Sequence, residues 1–188
     1  MTAQIVDTVT YEERTYQLSR WRGGQLFLPE TYDLPVVMAS TISWRGYVCS
    51  YVVQDRTLKL STLEAKVGRY DDDDLLVAVT PPVINGKQGL PGEPPFNTIY
   101  KELDLHIHFT GQMLIGREVI EELVNSSGLA APWDFRTTLS LCFDAGALTS
   151  EEDVSAEMES LRAQLTENQE SAPHLARDDL AWLVKGEE

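Results

Sequence analysis

The residues with the strongest chemical signature are Asp104, His106 and His108, spaced Asp-x-His-x-His. On a β-strand, side chains at i, i+2 and i+4 share a face. Two imidazoles and a carboxylate in this pattern can therefore meet one metal ion and leave coordination positions open, as a small metal-dependent enzyme requires. The same alternation also describes a polar strand face turned to water. The sequence favours that second reading, because the only other histidine, His174, belongs to the C-terminal tail.

Other candidates carry less. Asp71 to Asp74 is an acidic run that lacks the alternating ligands, central glycine and closing glutamate of a calcium loop, so it reads as a solvated turn. Asn85-Gly86-Lys87-Gln88-Gly89 has the glycines of a phosphate loop without its Gly-Lys-Ser/Thr ending. No Gly-x-Ser-x-Gly nucleophile elbow occurs. Cys49 and Cys142 lie inside apolar runs, where thiols are buried and inert. The acidic pairs Glu12-Glu13 and Glu121-Glu122 read as surface charges. No catalytic residue and no cofactor is expected.

The elements that must position these residues come from periodicity. Thr8 to Leu18 predicts a strand or a short hairpin turning at Glu12-Glu13. Thr41 to Val53 predicts the clearest strand, followed by a turn at Gln54-Asp55-Arg56 and a second strand from Thr57 to Leu63, together a β-hairpin. Gly46 inside the first of these predicts a bulge or a close backbone approach. Trp44, Tyr47 and Tyr51 fall on mixed faces of that strand, where outward rings would form a contact patch. Arg45 is placed to stack on a neighbouring ring. Leu75 to Val79 reads as a short strand, and residues 80–97, rich in proline and glycine, as a long loop. From Glu102 to Ile115, Leu103, Leu105, Ile107 and Phe109 alternate with polar residues, which predicts a strand with one buried face, ended or kinked at Gly111. Arg117 to Val124 predicts a short helix, and Thr137 to Phe143 another strand turned by Asp144-Ala145-Gly146.

The character then changes. Thr149 and Glu152 have capping-box spacing, and Val154, Met158, Leu161 and Leu165 follow as a helical stripe, predicting a helix over about 150–167. A last short helix is expected from Asp178 to Lys185, carrying Leu180, Trp182 and Leu183. The fold class is α+β: a mainly antiparallel sheet, sandwich or partial barrel, with one short inserted helix and a helical tail. The division expected is a β-rich domain over 1–148 and an acidic helical appendage over 149–188.

The chain holds 30 acidic and 15 basic residues, a formal charge of -15. Residues 1–94 carry 12 acidic against 9 basic side chains and residues 95–188 carry 18 against 6, so the excess sits in the C-terminal half. Such a chain does not neutralise phosphates or anionic lipid, which argues against nucleic-acid and membrane binding and leaves basic proteins as partners. The start of the chain has no basic patch followed by an apolar stretch, and no run of about 18 apolar residues exists, so a cytoplasmic protein is expected.

Three stretches carry a resemblance. They are Tyr11-Glu12-Glu13-Arg14-Thr15-Tyr16; then Thr41-Ile42-Ser43-Trp44-Arg45-Gly46-Tyr47, followed by a turn and Leu58-Lys59-Leu60; then His108-Phe109-Thr110-Gly111 with Met113-Leu114-Ile115 and the later strand Leu139 to Phe143 with its Asp-x-Gly turn. Over roughly residues 8–150 their order and spacing resemble a group of small bacterial β-rich proteins with a Trp-Arg-Gly-Tyr strand and a later Phe-Thr/Ser-Gly strand. The resemblance implies a fold type and a bacterial origin, not a reaction. His106 and His108 are outside the shared pattern.

The function expected is a non-catalytic protein-binding or regulatory role of the immunity, inhibitor or accessory-subunit type. Glu151, Glu152, Asp153, Leu161, Leu165 and Trp182 are its partner-binding residues, and another protein, basic in character, is its partner. The alternatives are a metal-dependent enzyme using Asp104, His106 and His108, and a small-ligand binding barrel or sandwich with residues 80–97 as a lid.

Overall fold

Two hairpins of the sheet are built on tight two-residue turns. Val9 and Tyr11 pair with Tyr16 and Arg14, so only Glu12 and Glu13 connect the strands, both with left-handed backbone (φ 47° and 61°). Asp55 and Arg56 make the second such turn (φ 49° and 57°). A two-residue connection with both φ positive matches the right-handed twist of the strands it joins. The hairpins predicted at 12–13 and 54–56 are therefore present.

The computed structural model describes residues 5–73, 75–123 and 129–167. Twelve strands follow one another: β1 (Thr8–Tyr11), β2 (Arg14–Gly23), β3 (Tyr47–Gln54), β4 (Thr57–Ala65), β5 (Arg69–Tyr70), β6 (Leu76–Val77), β7 (Leu90–Pro91), β8 (Thr98–Tyr100), β9 (Leu105–His106), β10 (Gly111–Val119), β11 (Phe135–Asp144) and β12 (Ala147–Asp153). The main sheet runs β12-β11-β10-β2-β1-β3-β4-β8-β7, with β9 also on β4 and a small β5-β6 hairpin apart. All pairs are antiparallel except β1 with β3, which run parallel through Thr8↔Ser50 to Thr10↔Val52. Ala147 of β12 also pairs with Thr57 of β4, so the sheet curls back on itself as a partial barrel. The architecture is α+β, mostly β, as expected.

The inward residues of each strand form one cluster: Val9, Tyr11, Tyr16, Leu18, Cys49, Tyr51, Leu58, Leu60, Met113, Ile115, Leu141 and Phe143, with Tyr100, Phe109 and others. These side chains fill the inside of the curl, as in small barrels whose interiors are packed cores. A second cluster lies on the outside. Leu114, which points away from the barrel, packs with Ala131, Trp133, Val154, Met158 and Leu161. The last three belong to α1 (Ser155–Glu167) and the residue before it. The middle of β10 is therefore buried on both faces.

Several predicted boundaries move. The strand expected from Thr41 begins only at Tyr47, and 41–46 form an ordered loop. The strand expected over 102–115 is broken: the N–H of Phe109 donates to the carbonyl of Ile107 at 2.8 Å, a tight bend between β9 and β10. The burial alternation survives it, with Leu103, Ile107 and Phe109 inside. The helix expected over 117–124 is absent from the described part of that stretch. Arg117 and Val119 pair with Thr137 and Phe135, and only Glu121–Leu123 forms a single 3-10 turn. The helix expected from about 150 starts at Ser155, because Ser150 to Asp153 pair with Leu139 to Cys142 and strand hydrogen bonds outcompete the Thr149–Glu152 box. Asp153 takes over the cap, accepting from the backbone N–H of Ser155 at 2.9 Å. The boundary drawn after residue 148 thus falls inside β12, and the inner face of α1 is part of the folded β unit. The predicted helix over 178–185, with Trp182, lies outside the described residues.

Left-handed Glu12-Glu13 is a costly sequence for its turn, since Gly, and less often Asn and Asp, are the residues that visit that conformation readily. Replacing the pair with Asn-Gly (Glu12→Asn, Glu13→Gly) should raise stability by about 1 kcal/mol. A higher urea midpoint with an unchanged m-value is the expected result.

Candidate functional surfaces

The Asp104-x-His106-x-His108 pattern is only partly realised. His106 and His108 are exposed and their rings lie together, centroids 4.3 Å apart and tilted by 55°. Asp104 leaves the set. Its backbone is left-handed (φ 46°), and its carboxylate accepts from Lys59 Nζ at 2.7 Å. Among the described residues no group of three or more His, Cys, Asp or Glu side chains is arranged to hold a metal ion.

Glu151, Glu152 and Asp153 are all exposed, but on β12 rather than on a helix. Glu151 accepts a hydrogen bond from the Tyr11 hydroxyl and sits 3.9 Å from the Arg56 guanidinium. Burial is the first cause that raises the Tyr11 phenol above its ordinary pKa, and the Glu151 carboxylate adds to it. Asp153 is committed to the helix cap. Beyond Ala147, no described strand pairs with the outer edge of β12. Leu161 is buried against Leu114, Ala131 and Trp133, and Leu165 packs on the same cluster. The apolar stripe read as a contact surface therefore faces the protein's own sheet. Arg162 fastens it, donating to the carbonyls of Trp133 at 2.7 Å and Phe135 at 2.9 Å.

Residues 80–97 are sewn down rather than hinged. Ile84 is fully buried in the core, Tyr100 donates to the Pro82 carbonyl at 2.8 Å, and Asn85 donates to the Leu103 carbonyl at 2.8 Å. Asn85 and Gly86 form a left-handed turn closed by Ile84 and Lys87. Asp71 spends its carboxylate on the backbone N–H groups of Asp73 and Leu75, closing the β5-β6 turn.

The aromatic residues separate cleanly. Tyr51 is buried in the core and Tyr47 is half-buried, while Trp44 is 71% exposed. The loop carrying Trp44 is fixed from several sides. The indole N–H donates to the Thr41 carbonyl at 2.8 Å, the N–H of Ile5 to the Ile42 carbonyl at 2.9 Å, and the N–H of Val37 to the Lys66 carbonyl at 2.9 Å. Gly46 makes the close approach predicted for it: it has φ +76°, and a Cβ there would stand 2.1 Å from the Val37 carbonyl oxygen. Next to Trp44, the Arg45 guanidinium binds the buried Asp7 carboxylate and lies 4.1 Å from the centre of the Tyr47 ring, the stacking expected of it. Burial works against the Arg45 charge and Asp7 more than offsets it, raising the guanidinium pKa. Burial pushes the Tyr47 phenol up to about 12, with Arg45 pulling the other way. Met38, 57% exposed, and Ile5, 38% exposed, leave the same region apolar. The sequence reading set Trp44 in an outward contact patch but placed it on a strand over 41–53; the strand begins only at Tyr47, after the close approach at Gly46.

Comparison with protein-family models, with curated proteins and with solved structures gives no match for the chain. The resemblance to the Trp-Arg-Gly-Tyr group gains no support from these comparisons, and the surfaces must be read from their own chemistry. No helix among the described residues is long and apolar enough to cross a membrane, which says nothing of β-barrels.

Two predictions follow from this geometry. Asp7 also accepts from the Cys49 N–H at 2.8 Å. Asp7→Ala strips a partner from a buried N–H and from Arg45 and should cost about 2–3 kcal/mol in urea unfolding. Burial pushes the Cys49 thiol pKa well up, so it stays protonated. Iodoacetamide on the folded protein should label Cys142, which is half-buried, and leave Cys49 unmodified until denaturant is added.

Proposed function

We propose that the chain is a non-catalytic protein-binding or regulatory protein of the immunity, inhibitor or accessory-subunit type. One observation carries the reading: Trp44, 71% exposed, is held still at the surface by its own hydrogen bond and by the ordered loop beneath it. Tryptophan is the side chain most enriched where binding energy concentrates, and a ring already fixed in place loses little conformational entropy on docking. An indole ring this exposed takes no part in the protein's own core.

The partner we expect is another protein, with an apolar recess for the indole and basic groups around it. The formal charge of -15 favours such a partner through long-range attraction, and the exposed carboxylates of β12 add a local acidic edge. The setting we expect is the cytoplasm.

The test is affinity purification of the tagged chain from its host at low and moderate salt, beside Trp44→Ala/Met38→Ala and Glu152→Lys variants. Wild type should retain a stoichiometric protein, the double variant should lose it with an unchanged melting temperature, and Glu152→Lys should weaken retention at low salt. Equal retention by the folded double variant, or none by wild type, would count against the reading.

A further inference from the structure

In a flat strand, residues two apart stand roughly 6.5–7 Å from each other, set by the strand rise. The His106 and His108 rings lie together, centroids 4.3 Å apart, and just beyond them the backbone bends at His108, where the Phe109 N–H reaches back to the Ile107 carbonyl at 2.8 Å. The bend is fixed from below. Ile107 and Phe109 are buried in the core, the Ile107 N–H donates to Leu58 at 3.0 Å, and the Phe109 carbonyl accepts from Gly146 at 2.8 Å. The two adjacent imidazoles thus stand on a backbone anchored to the core while both stay open to water.

We propose that His106 and His108 form a two-imidazole chelate for a divalent transition ion of the borderline class, such as Ni2+, Zn2+ or Cu2+. An ion about 2.0–2.1 Å from one nitrogen of each ring sets ring centres roughly 4.5–5 Å apart, so the present separation needs only a small opening. Imidazole is the ligand type these ions select. Gly146 lies against the His106 ring, where a Cβ would stand 2.6 Å from Nε2, so a side chain at 146 would collide with the ring. The cation nearest in register, Lys59, is neutralised by Asp104 at 2.7 Å, so it neither repels the ion strongly nor leaves Asp104 free to ligate. Water or a group from elsewhere completes the coordination. The chelate is independent of the Trp44 surface.

The experiment is calorimetric titration of untagged full-length protein with Ni2+ and with Zn2+, repeated on His106→Ala, His106→Gln, His108→Ala, Asp104→Asn and His174→Ala. One ion per chain, released by a chelator, is expected for the wild type. His106→Ala, His106→Gln and His108→Ala should lose it while circular dichroism shows the fold intact. Asp104→Asn and His174→Ala should keep the stoichiometry. In a parallel NMR titration, Ni2+ should broaden amide signals of residues 105–109 and 145–147 first. No binding by wild type, binding that survives in the His106 and His108 variants, or loss on Asp104→Asn would each overturn the two-imidazole chelate.

Discussion

The short seam between β4 and β12 is the constraint on which the sheet depends. A nine-strand path either stays open, with two long edges, or curls back on itself. Here β12, one end of the path, meets β4, two strands short of the other end, over very few residues. Leu58 donates to the Gly146 carbonyl and Leu148 to the Arg56 carbonyl, each at 2.8 Å, and the Arg56 side chain adds a bond to the Leu148 carbonyl at 2.8 Å. Glu151 then ties Arg56 to Tyr11, which reaches across from β1. The left-handed turns at Asp55-Arg56 and Ala145-Gly146 bring these groups face to face. Without that closure the packed interior from Leu58 to Phe143 would have an open side.

The same seam positions the imidazole pair and the acidic edge. His106 and His108 sit on the segment that fills the gap between β4 and β10 below the closure, anchored through Leu58 and Gly146. Above it, β12 parts from β4 after Ala147, and its carboxylates face water along an unpaired edge. Charged residues there also discourage edge-to-edge pairing with another copy, so the acidic character serves the fold as well as any partner. The Trp44 loop belongs to a different corner, organised by Asp7 where the parallel pair β1-β3 begins.

Much of the fold was legible where local chemistry and packing agree. The turns at Glu12-Glu13, Asp55-Arg56 and Asp144 to Gly146 were readable from polar residues between alternating runs, and the alternation from Leu103 to Phe109 marked the buried face correctly. What could not be read depends on contacts distant in sequence. Ser150 to Asp153 look like a helix start until β11 offers them a ladder, and Arg117 to Val119 look helical until Phe135 to Thr137 do the same. The same holds for the surroundings of the candidate residues. His106 and His108 share a face, as strand geometry requires, but nothing local shows that Lys59 engages the Asp104 carboxylate or that Leu161 packs with Trp133 rather than facing outward.

The outer cluster around Leu114 has a practical consequence for anyone dissecting this chain. Composition suggests cutting where the acidic tail begins, yet a chain ended near Ala147 would lose β12, one side of the seam and the cover over Leu114 and Trp133 together. The remaining strands would expose a greasy stripe beside a raw edge, the pair of features that turns a monomer into a precipitate. The smallest fragment that keeps its own surface polar has to run through Leu165, so the helix is the lid of the strand unit and travels with it.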